Sequence, residues 1–331
     1  MNAKGLIETL KHTRLTGVQP LECMSVLMNE GVPVEQKSAL LSMMEARKPA
    51  LTELNGFSEF ILENCIVPFE YGDDLMDVCG TGGDGNNTIN FSTLTAFVLA
   101  AAGIKICKHG NYGVTSVNGS SGILEYFGYR FKTTAEELER ELETFNVTFL
   151  HAPLFHPVLK NMAAMRKNLQ MKTIFNVLGP LVNPLQPKYR FTGVSNLQVA
   201  RNYHFLYGQK NYCYAVVHTL DGNDELTLTD AVKIYSHSGE RLIHPADLSA
   251  VNVELEDLRV HSMADAAKKF MRVLRYEAPE PVMEALLCNA AMAYTVRHET
   301  VDFATAKAIC REALQSGKVK LLFDQILNCK A

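Results

Sequence analysis

Residues 77–85, with the sequence DVCGTGGDG, carry the strongest chemical signal in the chain. The apolar lead-in at 75–79 predicts a short buried strand, and the run at 91–102 predicts an apolar helix. Between them lie four glycines in six residues, together with Asp84. Glycine lets backbone N–H groups approach a phosphate closely, so the segment predicts a phosphorylated ligand, a purely structural turn being the alternative. The spacing is that of neither an ordinary dinucleotide loop nor a P-loop.

Hydroxyl groups follow this glycine loop at the start of the predicted helix. Asn90, Ser92 and Thr93 stand where side chains commonly cap a helix N-terminus. The same hydroxyls could instead contact a phosphate or a magnesium ion. These residues alone do not distinguish helix capping from contact with a phosphate or a magnesium ion.

A second polar segment, residues 108–113, follows the strand predicted at 104–107. Loops at the carboxyl ends of neighbouring parallel strands converge, so this segment should face the glycine loop. Lys108 could pair with a phosphate, and Asn111 could bind a polar substrate. For His109, capping of a local turn is as well supported as a catalytic role. Ser120 and Ser121 open the next predicted helix, either as an anion site or as ordinary caps.

Two further segments offer polar groups. His156 is followed ten residues later by Arg166, and a rigid Gly-Pro and Asn-Pro loop spans residues 176–184. Arg166 could bind a carboxylate through two parallel hydrogen bonds. Alternatively, it could simply lie near the end of a helix, where a positive charge is mildly favourable. Asp224 and Glu225 follow a strand predicted at 212–217, within the acidic run 221–225. Adjacent carboxylates are usually solvated, but at the end of a central parallel strand they favour a hard cation such as magnesium.

The order of predicted elements indicates an α/β fold with two domains. Residues 1–72 show helical patterns only and predict a small all-helical domain, joined by a segment near 165–185. Residues 73–331 alternate short strands with helices, which predicts a large α/β domain with a mainly parallel central sheet covered by helices.

Composition narrows the class of protein. A net charge of −4 argues against general binding of nucleic acid or an anionic membrane surface. The eight cysteines show no zinc-type spacing, and the longest apolar run is far too short to span a bilayer. We therefore expect a soluble cytoplasmic protein.

Taken in order, these pieces resemble the anthranilate phosphoribosyltransferases of tryptophan biosynthesis. The resemblance rests on the segments 80–84, 90–93, 108–111, 119–121, 156–166, 176–184 and 221–225, and it extends to Asn289 and the turn at 316–318. It implies transfer of ribose 5-phosphate from phosphoribosyl pyrophosphate (PRPP) to the amino group of anthranilate. It further implies Mg²⁺, two ions per subunit, and a homodimer formed through the helical domain.

The resemblance also implies roles for individual residues. The residues expected to bind PRPP are Gly80, Gly82, Gly83, Asp84, Thr88, Asn90, Ser92, Thr93, Lys108 and Ser120. The residues expected on the anthranilate side are Gly80, Asn111, His156, Arg166 and Gly179. The metal ligands expected are Ser92, Asp224 and Glu225. No residue is expected to act as an acid or base, so catalysis would consist of positioning and electrostatics.

Three positions depart from the family pattern. Tyr112 stands where many members have arginine, Gly122 where many have aspartate, and Asn223 where many have a leucine-like residue. Two other functions remain open: a pyrimidine nucleoside phosphorylase, which would lack the metal-binding acidic pair, and a non-catalytic nucleic-acid-binding relative of the same fold.

Overall fold

The computed structural model describes residues 2–113, 119–169 and 171–329, and it describes the side chains of all of these except those at 161, 163, 164, 166 and 167. The chain divides into two compact units. The first comprises Met1–Val67 and Ala152–Pro184, and the second Pro68–His151 and Leu185–Ala331. The second segment of the helical unit therefore begins earlier than residue 165, where the sequence led us to expect it.

The first unit is helical. Its α-helices are α1 (Ala3–His12), α2 (Gln19–Met28), α3 (Val34–Ala46), α4 (Leu51–Glu63), α8 (Ala152–Phe155) and α9 (Lys160–Leu169). Three short 3-10 helices span Pro157–Leu159, Ile174–Val177 and Gly179–Leu181.

The buried carboxylate of Glu53 links helix α4 to other segments of this unit. Glu53 is fully buried, and its two oxygens accept hydrogen bonds from the backbone N–H groups of Leu15 (2.9 Å) and Ala50 (2.8 Å). Arg47 neutralises the same carboxylate. Because an unpaired buried charge is costly, these partners fix the start of α4 against the segments around it.

The second unit is a seven-stranded sheet with helices packed on it. Its strands are β1 (Met76–Val78), β2 (Ile106–Gly110), β3 (Val147–His151), β4 (Tyr189–Gly193), β5 (Cys213–Thr219), β6 (Val232–Ser236) and β7 (Gly239–Ile243). Its helices are α5 (Phe91–Ala101), α6 (Ser120–Tyr126), α7 (Ala135–Phe145), α10 (Leu197–Gln209), α11 (Pro245–Leu248), α12 (Leu255–Leu258), α13 (Met263–Leu274), α14 (Glu280–Arg297), α15 (Phe303–Gln315) and α16 (Lys318–Asn328).

The strand order is β3-β2-β1-β4-β5-β6-β7. The first five strands in this order, from β3 at the edge to β5, pair in parallel. Strand β6 pairs antiparallel with β5, and β7 pairs antiparallel with β6. This confirms the predicted α/β class and the mainly parallel sheet. The carboxyl ends of β1, β2, β4 and β5 therefore meet at one edge, where loops can form a site.

Two features of the sheet differ from the sequence-based expectation. Strand β4, which pairs with β1 and β5 at the centre, was not anticipated, because Arg190 interrupts its apolar run. Strand β2 extends to Gly110, so Lys108 and His109 lie within the strand and not in a loop after it. Both side chains are buried.

Helices α5 and α14 form the main core of this unit. Phe97 of α5 packs against the rings of Phe149 (5.4 Å between centroids) and Phe323 (5.2 Å). Helix α14 buries residues along most of its length, which explains why apolar residues predominate in its sequence. This packing holds the N-terminus of α5 rigidly beside the glycine loop.

Candidate functional site

The glycine loop continues beyond β1 along the end of β4. The N–H of Cys79 donates to the carbonyl of Phe191 (3.2 Å), and the N–H of Thr81 donates to the carbonyl of Gly193 (2.9 Å). The chain then turns through Gly82 and Gly83, whose φ angles are +62° and +84°. These positive values explain the use of glycine at both positions.

The loop between β5 and β6 brings Asp224 against the glycine loop. The N–H of Gly82 donates a hydrogen bond of 2.6 Å to Asp224 Oδ2. Two glycines make this approach possible. A Cβ atom on Gly80 would lie 2.7 Å from Asp224 Oδ2, and one on Gly193 would lie 1.5 Å from the backbone oxygen of Asp224. Larger residues at either position would displace the carboxylate.

Glu225 is held at the N-terminus of α5. Its Oε1 accepts from the N–H of Ser92 (3.3 Å), and its Oε2 accepts from the hydroxyl of Thr88 (3.3 Å). The Thr219 hydroxyl donates to the backbone carbonyl of Glu225 (2.5 Å). The helix dipole favours negative charge at this end of α5.

The two carboxylates are not solvated surface groups. Burial raises the pKa of Asp224 to about 7, and the nearby Asp84 carboxylate adds to the increase. Burial and the charges of Asp224 and Asp84 raise the pKa of Glu225 well above its ordinary value. Three carboxylates thus crowd one small region, where negative charge is unfavourable without a cation.

These residues fit a magnesium ion. Over the described residues, no group of three or more His, Cys, Asp or Glu side chains could hold a metal ion by itself. Magnesium, however, is usually bound by one or two carboxylates while substrate phosphates and water complete its coordination. Asp224 and Glu225 provide those carboxylates, and a bound ion would relieve their mutual repulsion.

Lys108 approaches the same edge from β2. Its ammonium donates to the Ser92 hydroxyl (3.2 Å) and to the carbonyl of Val78, and its side chain is 2 % exposed. Lys108 is therefore a buried cation and not a solvated surface lysine. Its neighbour His109 is also buried, and the backbone N–H of His109 donates to Asp77 Oδ1 (3.2 Å).

The residues that begin α5 have different environments. Asn90 is the N-cap, accepting from the N–H of Thr93 (2.9 Å) and from the Ser92 hydroxyl (3.2 Å). Thr93 is fully buried and its hydroxyl has no hydrogen-bond partner in the described residues. Ser92 contacts Glu225 through its backbone N–H and Lys108 through its hydroxyl, which makes it the best placed of the three for a ligand.

Ser120 begins α6, and its hydroxyl donates to the carbonyl of Asn111 (3.3 Å). The side chain of Asn111 accepts from the N–H of Tyr112 (2.8 Å). Ser121 is turned inward instead, with its hydroxyl 2.8 Å from Nδ1 of His151. The segment 114–118 lies outside the described residues.

Three of the anthranilate-side candidates belong to the helical unit. His156 is 1 % exposed, and burial lowers its pKa to about 4. It is therefore neutral near pH 7 and offers hydrogen bonding without charge. Arg166 lies on α9, but its side chain is outside the described part of the structure. Gly179 begins a 3-10 helix.

Two of the departures from the family pattern, Tyr112 and Gly122, lie near each other. The Tyr112 ring is 4.0 Å from the position that a Cβ on Gly122 would occupy, and Met263 Cε is 3.2 Å from it. The Tyr112 hydroxyl donates to Glu125 Oε1 (2.7 Å). A Cβ at position 122 would be tight against the Met263 methyl and in ordinary van der Waals contact with the Tyr112 ring, so the space for a larger side chain there is limited.

Sequence reasoning missed one residue that shapes the site, Gly193, and assigned no role to another, Asn289, which entered only through the family resemblance. Gly193 ends the unanticipated strand β4, and Asn289 lies buried in α14. Asn289 Oδ1 accepts from the N–H of Leu226 (3.1 Å), and its Nδ2 donates to the carbonyls of Leu226 (2.9 Å) and Ala285 (2.8 Å). It thereby fixes the residue next to Glu225. An asparagine within the apolar run at 285–294 was the signal available.

Comparison with known proteins gives consistent matches. Residues 72–320 match the family model described as "Glycosyl transferase family, a/b domain". Anthranilate phosphoribosyltransferase from Cytophaga hutchinsonii is 41 % identical over 98 % of this chain and 100 % of the relative. The enzyme of that name from Bacteroides thetaiotaomicron is 39 % identical over 86 % of each chain.

Solved structures agree. Anthranilate phosphoribosyltransferase from Thermus thermophilus superposes with a TM-score of 0.88 at 27 % identity, covering 97 % of this chain and 98 % of that one. The fold is also shared with the Saccharomyces cerevisiae enzyme in complex with PRPP and Mg (TM-score 0.84, 22 % identity, covering 98 % and 92 %).

The α/β unit and its glycine loop therefore define a glycosyl transferase of this α/β class. Within that class, the chain belongs to the anthranilate phosphoribosyltransferase family.

Proposed function

We propose that this chain transfers the 5-phosphoribosyl group of PRPP to the amino group of anthranilate, giving N-(5-phosphoribosyl)anthranilate and pyrophosphate in tryptophan biosynthesis. One observation carries the proposal: the N–H of Gly82 binds Asp224 at 2.6 Å, so a phosphate-approaching loop and an acidic pair share one edge of the sheet. Pyrophosphate as a leaving group requires both N–H donors and a cation.

The chemistry needs no strong acid or base. The bond from the anomeric carbon to pyrophosphate breaks, and its electron pair leaves with the pyrophosphate. The nitrogen lone pair of anthranilate forms the new bond, and the amine then loses a proton to solvent. An aromatic amine is already neutral near pH 7, so positioning supplies most of the rate, with effective molarity contributing roughly 7–11 kcal/mol.

We assign the PRPP side of the site to the α/β unit. The glycine loop and Asp84 would face the pyrophosphate, with Ser92 and Lys108 beside it. A magnesium ion bound by Asp224, Glu225 and Ser92 would supply positive charge against the departing pyrophosphate. Two ions per subunit are proposed, since three crowded carboxylates leave negative charge for more than one cation. Gly80, Gly83, Thr88, Asn90, Thr93 and Ser120 complete the proposed PRPP set.

The residues of the anthranilate side are proposed from the family resemblance. Arg166 would bind the anthranilate carboxylate through paired hydrogen bonds, the geometry that arginine favours. His156, neutral near pH 7, would donate or accept a hydrogen bond without adding charge. Asn111, Gly80 and Gly179 are the other proposed contacts.

The remaining features are proposals that rest on the same resemblance. The helical unit is proposed to form the interface of a homodimer, and the α/β unit to be the transfer domain. The cytoplasm is the proposed compartment. Over the part of the chain that the structure describes, no helix is both long and apolar enough to cross a membrane.

The decisive experiment measures the release of pyrophosphate and the consumption of anthranilate together. Purified protein with anthranilate, PRPP and magnesium should release one pyrophosphate for each anthranilate consumed. A pyrimidine nucleoside phosphorylase would instead cleave thymidine with phosphate and without magnesium. A nucleic-acid-binding relative would show salt-sensitive DNA binding and no pyrophosphate release. Either result would overturn the proposal.

A further inference from the structure

The two loops of the site are joined by a chain of side-chain hydrogen bonds. Asn223, which is 1 % exposed, accepts from Asn86 Nδ2 at 2.7 Å through its Oδ1. Its own Nδ2 donates to Asp221 Oδ1 at 2.7 Å. Asn86 lies in the segment after the glycine loop, and Asn223 immediately precedes Asp224. The amide pair therefore spans the two segments that carry the acidic residues.

Each end of this connection also holds an acidic residue. The backbone N–H of Asn86 donates to Asp84 Oδ1 (3.1 Å), and the backbone N–H of Asn223 donates to Asp221 Oδ1 (3.3 Å). Asp221 accepts a further hydrogen bond from the Thr229 hydroxyl. Neither loop can shift without breaking buried or half-buried hydrogen bonds.

The amide pair adds a second connection between these loops, beside the hydrogen bond from the Gly82 N–H to Asp224 Oδ2 (2.6 Å). Amide-to-amide hydrogen bonds are neutral and do not depend on the metal. A leucine-like side chain at position 223, the type expected from the family resemblance, could make no such connection.

We propose that Asn223 and Asn86 form a positioning bridge that holds the glycine loop and the Asp224–Glu225 loop at the spacing needed for a magnesium–PRPP complex. The bridge rests on the proposed function for its ligand. Asn86 and Asn223 both belong to the α/β unit, to which the PRPP side of the site is assigned.

A double-mutant cycle tests the bridge. Asn223→Leu and Asn86→Ala should each raise the KM for PRPP and the magnesium concentration for half-maximal rate about fivefold, the effect of one hydrogen bond of about 1 kcal/mol. The KM for anthranilate should stay within twofold. The double variant should resemble Asn223→Leu alone, because Asn223→Leu already removes the only described side-chain contact that Asn86→Ala removes. Gln198→Ala, which removes a comparable amide hydrogen bond to Asn202 on α10, is the matched control and should change none of these values.

Hydrogen exchange of the unliganded protein gives a readout that does not require activity. Peptides covering residues 80–90 should exchange faster in Asn223→Leu than in wild type, with peptides of α10 unchanged. If wild type consumes no anthranilate, the proposed function fails while this comparison still decides whether the bridge exists. Unchanged exchange in Asn223→Leu, equal increases in both substrate KM values, or additive effects in the double variant would each overturn the bridge.

Discussion

Gly82 and Asp224 are 142 residues apart in sequence, yet the backbone N–H of one donates to the carboxylate of the other at 2.6 Å. The contact joins the loop that follows β1 to the loop that follows β5. It is possible because β4, between those strands, ends in Gly193, where any Cβ would collide with Asp224. The acidic residues and the phosphate-approaching loop thus form one unit.

Removing the two acidic charges should abolish turnover while preserving the fold. We expect Asp224→Asn with Glu225→Gln to lower kcat by roughly 100-fold or more, the scale of losing a principal electrostatic contribution to catalysis. Melting temperature should not fall, because both substitutions remove charge repulsion.

The matched control is Glu136→Gln with Glu137→Gln, an adjacent acidic pair at the start of α7. It should leave the rate of anthranilate consumption unchanged. Full activity in the Asp224/Glu225 double variant would exclude these residues as metal ligands.

The stability of the unliganded protein should fall as pH rises through 7. The pKa of Asp224 is raised to about 7 in the folded protein, so the folded state binds more protons than the unfolded state between about pH 4 and 7. The favourable contribution is complete below the unfolded pKa and is lost as pH rises through the folded one.

Melting temperature measured from pH 5.5 to 8.5 checks this. Asp224→Asn should flatten the decline, and magnesium with PRPP should restore stability at high pH. A melting temperature that rises across this range in wild type, with the Asn variant behaving identically, would contradict the assignment.

Gly193→Ala should inactivate the protein. Its Cβ would lie 1.5 Å from the backbone oxygen of Asp224, so the acidic loop must move away from Gly82. Gly208→Ala in α10 is the control, because its Cβ would meet only the Tyr214 hydroxyl at 3.8 Å. That change should stabilise the helix by about 0.5–1 kcal/mol. Equal steady-state activity of the two variants would show that the close approach is unimportant.

Asn289→Leu should destabilise the protein and disturb the acidic loop together. It leaves the N–H and carbonyl of Leu226 without their partner inside the core, and each buried unpaired group costs about 1–3 kcal/mol. Chemical denaturation should show this loss, and the magnesium requirement should rise. Asn328→Ala, which removes one exposed hydrogen bond on α16, should do neither. Wild-type stability in Asn289→Leu would refute the role of this side chain.

Arg166→Ala should raise the KM for anthranilate at least tenfold and leave that for PRPP nearly unchanged, because the guanidinium is assigned to the anthranilate carboxylate. Arg166→Lys keeps the charge but loses the paired geometry, so it should fall between alanine and wild type. Steady-state kinetics with each substrate varied in turn measures the split. A larger effect on the PRPP KM would reverse the assignment.

Much of this site could be predicted from the sequence because its residues come at or just after the ends of strands. The apolar runs before Gly80, Lys108 and Asp224 identified three parallel strands, and parallel strands bring their carboxyl ends together. Residues 108–113 were expected to face the glycine loop on that ground, whereas the acidic pair was expected only to favour a cation at the end of its strand.

The parts that escaped prediction depend on partners distant in sequence. Strand β4 was hidden because Arg190 breaks its apolar run, yet this side chain is buried with its guanidinium 3.9 Å from the Tyr212 ring and Asp77 opposite it in register. Likewise, nothing local tells that Asn289 pairs with Leu226. Burial of polar groups can be judged only when their partners are known.

Anthranilate fluorescence provides the most direct test of the central claim. We predict that the purified protein removes this fluorescence when PRPP and magnesium are both present, and that omitting either, or adding a chelator, stops the loss. Consumption of anthranilate without PRPP, or undiminished consumption after complete removal of divalent metal, would contradict the account.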